Sequence, residues 1–154
     1  MTNEATTTPV RTALSHCATI AVDVPAAQAF AFLADPVRLG EWSLGCMDTQ
    51  PTDIPGVFSG RSLFDGGRGC VAIDPYPALG LIDYRVGAPT ALIHRISARV
   101  MPGAAMERGD GSCLVSLIAW RPAKMADERW ARLCATHEAE IFLIKAQIET
   151  RHSA

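Results

Sequence analysis

His137 is the residue of this chain best placed to do chemistry. It falls on a run of Trp130, Leu133, Cys134, His137, Ile141, Ile144 and Ile148, all at helical spacing. An imidazole near the centre of an apolar stripe has two uses. It orients a ligand hydroxyl or carbonyl and moves a proton near neutral pH, or it is a core histidine bonded to a neighbour. His94 is the second candidate. Strand alternation places it on one face with Leu92, Ile96, Ala98 and Val100, and places Arg95, Ser97 and Arg99 on the other. This turns His94 inward and the arginines outward. Tyr84 shares a face with Ile82 and Val86, and an inward hydroxyl needs a partner that a ligand or His94 would supply.

The aromatic residues Trp42, Phe64, Tyr76, Trp120 and Trp130 are suited to line or gate a cavity, and about two of the five are expected to touch a ligand. The candidate ligand-binding set is therefore His137, His94, Tyr84, Trp42, Phe64, Trp130 and Cys134. Within it, His137, His94 and Tyr84 are the candidates for acid-base work.

Other chemistries lack their residues. His137-Glu138-Ala139-Glu140 is not a zinc-binding HExxH, and no metal or cofactor is expected. Gly66-Gly67-Arg68-Gly69 lacks the lysine and following helix of a phosphate loop. No GxSxG elbow marks a nucleophilic serine. The five cysteines form no CxxC pair, so reduced thiols and a cytoplasmic setting are expected rather than a disulfide framework.

These residues need elements to hold them. Ser15 to Val24 is rich in β-branched residues and reads as a first strand. Pro25 suits the first turn of a helix, whose Phe30 and Leu33 share one face. Asp35-Pro36 ends that helix and caps a second, carrying Leu39 and Trp42. The period then changes. Strands are expected near Cys46–Gln50 and over Val57–Phe64, Gly69–Asp74, Leu79–Val86, Thr90–Met101 and Ser112–Trp120. Gly66-Gly67, Pro75-Tyr76-Pro77, Gly87-Ala88-Pro89 and Gly109-Asp110-Gly111 are the turns of an antiparallel meander. Met125 to Thr150 reads as one long amphipathic helix, with Asp127 and Glu128 where its dipole favours negative charge.

The fold class is α+β: a curved antiparallel sheet of six to seven strands around a long C-terminal helix, with two short helices after the first strand. Residues 15–150 make a single domain, and the Thr-rich residues 1–14 read as a disordered tail. The net charge of −2 gives no field for nucleic acid. No run reaches the ~20 apolar residues that span a bilayer, so no membrane insertion is expected. Glu4 precedes any positive charge, which argues against a secretory signal.

The opening Val24-Pro25-Ala26-Ala27, Phe30-Ala31-Phe32-Leu33-Ala34-Asp35-Pro36 and Trp42-Ser43 resembles that of the START-like, or SRPBCC, superfamily. Gly111-Ser112 and Leu143-Ile144-Lys145-Ala146-Gln147-Ile148-Glu149 are similar to its closing segments. The resemblance implies the helix-grip fold of the birch-pollen allergen and of polyketide cyclase/dehydrase proteins, with a cavity between sheet and helix. It implies a small hydrophobic ligand, polycyclic or polyketide-like, in that cavity. It carries no universal catalytic motif, since fold does not dictate chemistry. A cyclase or dehydratase using the pocket His and Tyr groups is the first alternative, and a protein-interaction module the second.

One face is unaccounted for. Ala135, Ala139, Phe142, Leu143 and Ala146 lie opposite the His137 stripe, and the last strand is apolar on both sides. A homodimer covers such a face; so does contact with the first helix.

Overall fold

A computed structural model of the chain describes residues 13–153. The expected tail over residues 1–14 therefore falls, apart from its last two residues, outside the described residues. Seven strands form one antiparallel sheet in the order β1-β7-β6-β5-β4-β3-β2. They are β1 (Ser15–Val22), β2 (Met47–Pro51), β3 (Phe58–Arg61), β4 (Arg68–Tyr76), β5 (Leu81–Ala88), β6 (Ala91–Pro102) and β7 (Cys113–Trp120). Helices α1 (Ala26–Ala34) and α2 (Pro36–Leu39) follow β1, and α3 (Asp127–Ser153) closes the chain. This is the α+β helix-grip arrangement, with the sheet curved about the long helix.

Local chemistry explains the joints. The Val37 N–H donates to the Asp35 carboxylate at 2.9 Å, so Asp35 caps α2 while Pro36 occupies a first-turn position that needs no N–H. Pro75 and Tyr76, expected in a turn, instead extend β4. Beyond Val71, β4 has no β3 partner, and a proline is tolerated on such an unpaired edge.

The core lies between the sheet and the C-terminal half of α3. Ile141, Ile144 and Ile148 pack with Val22, Leu33, Val115 and Leu117. Polar ties fix that half to β1: Lys145 Nζ donates to the Ala21 carbonyl at 2.9 Å, and the Asp23 N–H donates to Glu149 Oε1 at 2.9 Å. The opposite face of α3 is left open, with Ala135, Ala139, Phe142, Leu143 and Ala146 all exposed. Phe142 is 67% exposed, so α1 does not cover it. No described helix is long and apolar enough to cross a membrane.

Candidate functional site

The N-terminal half of α3 stands off the sheet. Beneath it lies a cavity of ≈ 840 Å³. One wall is the α3 row Arg129, Arg132, Leu133, Thr136, His137 and Glu140. The sheet supplies Val71, Tyr84, Val86, Arg95 and Ile96 from β4, β5 and β6. The segment from Leu39 to Cys46 closes one side, and Ser62 to Gly67 forms an exposed lip. That lip is shaped by its own backbone: the Gly67 N–H donates to Asp65 Oδ1 at 2.8 Å. Gly60, one strand below, must lack a side chain, because a Cβ there would lie 2.5 Å from Cys46 Sγ.

A polar cluster sits deep in this space, whose lining mixes polar and apolar side chains. His137 and Glu140 are both buried, at 4% and 3% exposure. His137 Nε2 is 3.8 Å from Glu140 Oε2, and the Leu44 N–H donates to Glu140 Oε1 at 2.8 Å. Burial lowers the His137 pKa from 6.5 to about 4, helped by the positive fields of His16 and Arg95. Burial raises that of Glu140 from 4.5 to about 8, against the pull of the Leu44 N–H. Near neutral pH the imidazole is therefore uncharged and the carboxyl holds its proton. Trp42 Nε1, Arg95 Nε and His137 Nδ1 are buried and have no hydrogen-bond partner among the described residues.

The structure brings His137, Tyr84, Trp42 and Phe64 to the cavity. Tyr84 is committed to the fold. Its hydroxyl donates to the Leu33 carbonyl at 2.7 Å, its ring meets Trp42 edge-on at 6.1 Å, and burial drives its pKa up. Phe64 is half-exposed at the lip, with the Arg132 guanidinium 5.4 Å from its ring centroid. Trp130 and Cys134 are buried elsewhere, packed with Ala119 and Met125 at the head of α3, and do not line the cavity. Tyr76 and Trp120 are exposed and do not line it either.

The inward placement of His94 is corrected. His94 lies on the outer face, exposed, with Nε2 3.3 Å from the Asp74 carboxylate that also holds Arg85. The cause is a β-bulge. Tyr84 pairs with Ile96 and Arg85 with His94, so Arg95 is an extra residue with no partner on β5. The extra residue shifts the alternation by one, which turns His94 out and Arg95 in.

Sequence reasoning missed Arg95 and Glu140. Nothing in the alternation announces a bulge. Glu140 carried a signal: it is three residues from His137 and seven from Leu133, so it shares their face. Cys46 and Cys70 also line the cavity, and burial pushes the Cys46 thiol up to about 11, which leaves it unreactive. No three His, Cys, Asp or Glu side chains among the described residues are grouped as a metal-binding set.

Sheet, long helix and the space between them define a START-like helix-grip fold. No protein-family model matches the chain, and no curated protein matches it. Solved structures do. The Zhui aromatase/cyclase from a Streptomyces species aligns over 90% of this chain and 94% of its own, with TM-score 0.64 and 15% identity. A START superfamily protein from Mycobacterium smegmatis aligns over 89% of this chain and 98% of its own, with TM-score 0.63 and 14% identity. The di-domain aromatase/cyclase BexL aligns over 91% of this chain but 48% of its own, with TM-score 0.67 and 15% identity. At such identities the likeness is one of fold.

Proposed function

We propose that this protein binds a small, mainly apolar molecule carrying carbonyl or hydroxyl oxygens in the cavity under α3. A polycyclic or polyketide-like body suits the apolar walls, and two of the structural neighbours are aromatase/cyclases. The observation that carries the reading is the set of unpartnered polar atoms on one lining: Trp42 Nε1, Arg95 Nε and His137 Nδ1. Indole and guanidinium N–H groups are donors only. A buried donor without a partner costs about 1–3 kcal/mol, and a ligand oxygen removes that cost. The cavity volume of ≈ 840 Å³ suits a molecule of drug-like size. Native mass spectrometry of protein from its own host tests this: a co-purifying small molecule supports it, and protein that emerges empty and binds no polycyclic probe sinks it.

The His137–Glu140 pair favours a second reading, a cyclase or dehydratase. A neutral imidazole beside a protonated carboxyl is a base next to an acid. In that case the molecule carried by the wild type is an isomer of the one carried by Glu140→Gln if only a ring closes, or has one water fewer if a dehydration occurs. Identical bound molecules would leave a carrier. The third reading, an interaction module, has less support, because such a module has no need of an open cavity with buried donors.

The free state of Cys17, Cys46, Cys70, Cys113 and Cys134 supports a cytoplasmic setting. For the exposed apolar face around Phe142 we propose a second copy of this chain as the partner.

A further inference from the structure

We propose that the molecule bound in the cavity is a carboxylate, with its anionic group seated between Arg95 and Arg129. This rests on the cavity-binding reading above and narrows its ligand class. Four arginines line the one cavity: Arg68, Arg95, Arg129 and Arg132. Every other arginine that makes an ion pair does so elsewhere, as Arg38, Arg61, Arg85, Arg121 and Arg151 do. The four cavity arginines have no carboxylate within 4.0 Å among the described residues.

Two of them have other occupations. Arg68 Nη2 donates to Ser59 Oγ at 2.8 Å, and Arg132 stacks on Phe64 with Asp65 nearby on the lip. Arg95 and Arg129 have none. Arg95 is half-buried on the bulge of β6, its Nε out of water and unbonded. Arg129 reaches the cavity from the first turn of α3, close enough that its charge, after burial, holds the Arg95 guanidinium below its ordinary range. Two cations that face one space, one of them half-buried, favour an anion between them.

The acids nearby do not relieve it. Glu140 is protonated near neutral pH, Asp127 is held by Arg121, and Asp65 lies out on the lip beside Arg132. The lining otherwise offers Trp42, Val71, Tyr84, Val86 and Ile96. An apolar body with one planar anion fits both parts, since a guanidinium fork takes a carboxylate through two parallel N–H bonds.

The test is a titration near pH 7, at low salt, with a matched pair of fluorescent probes, anthracene carboxylate and anthracene methanol. The carboxylate should bind about tenfold tighter or more, and added salt should erode the difference. Arg95→Gln and Arg129→Gln should each weaken the carboxylate more than the alcohol, bringing the two affinities together. Arg129 is exposed, so its variant folds irrespective of the bulge. Equal affinity of the wild type for the two probes overturns the anionic seat and leaves cavity binding standing. Saturable binding of neither probe overturns both. A preference that survives in the double variant, with its circular dichroism unchanged, overturns the assignment to these two arginines.

Discussion

His137 Nε2 and Glu140 Oε2 stand 3.8 Å apart on one face of α3, each out of water, and between about pH 4 and about pH 8 neither is charged. A carboxyl that stays neutral where most acids are ionised, beside an imidazole that stays neutral well below its ordinary 6.5, gives the fold its own pH signature.

Glu140 has a folded pKa of about 8 against an ordinary 4.5. Its contribution is intact below pH 4.5 and is lost as pH rises towards 8, because the unfolded chain sheds the proton first. His137 works in the other direction: its contribution is present above 6.5 and is lost as pH falls towards 4. The slopes oppose each other from 4.5 to 6.5, so the Glu140 effect stands alone from 6.5 to 8. Glu140→Gln keeps an acceptor for the Leu44 N–H and should remove that decline. Urea denaturation should find the variant more stable than wild type above pH 8, by up to about 5 kcal/mol, and equal to it near pH 4. Parallel curves across the whole range would show that Glu140 is ionised in the fold.

His137→Leu should leave stability unchanged or raise it by up to about 1 kcal/mol, because neither ring nitrogen has a hydrogen bond to lose. Binding of anthracene methanol should weaken several-fold. Denaturation beside a fluorescence titration separates the roles. A destabilised variant with normal affinity would assign His137 to the core.

Tyr84→Phe should cost about 1–2 kcal/mol, the price of stranding the Leu33 carbonyl at the end of α1. Probe affinity should hold within about twofold, because the hydroxyl is turned into the fold. Lost affinity at full stability would reverse this and make the phenol a ligand contact.

His94→Ala should leave probe binding untouched and lower stability by less than about 1 kcal/mol, the usual worth of an exposed pair such as that with Asp74. A loss of affinity would place the imidazole back inside the cavity.

Phe142→Asp should convert a dimer to a monomer in sedimentation velocity, with cavity binding retained. A wild-type protein that sediments as a monomer at high concentration rules out the second copy.

The fold was legible because its periods are clean. Alternation located the strands, and the capping pair Asp35-Pro36 separated the two short helices. His137 and Trp42 were legible as inward residues for the same reason. The stripe on α3 was read as one surface, but it is two rows. Trp130 and Cys134 turn to Ala119 and Met125, while Leu133, His137 and Glu140 turn to the cavity. Rows so close on a helix differ only in what the sheet offers opposite each. Glu140 was passed over because a charged residue is expected at the surface, although its spacing from His137 and Leu133 puts it on their face, where it accepts from the Leu44 N–H. His94 and Arg95 exchanged roles because a bulge depends on the pairing of two strands, which a single run of residues does not encode.

The bulge makes one component of the cavity removable. Arg95 is surplus to the ladder, since Ile96 and His94 already meet Tyr84 and Arg85 in sequence without it. Excising that one residue would leave each remaining pair of β5 and β6 in register, yet strip the cavity of its half-buried guanidinium. The guanidinium at this position can therefore be gained or lost by a one-residue insertion or deletion, in one genetic event, and comparisons limited to substitutions would overlook it.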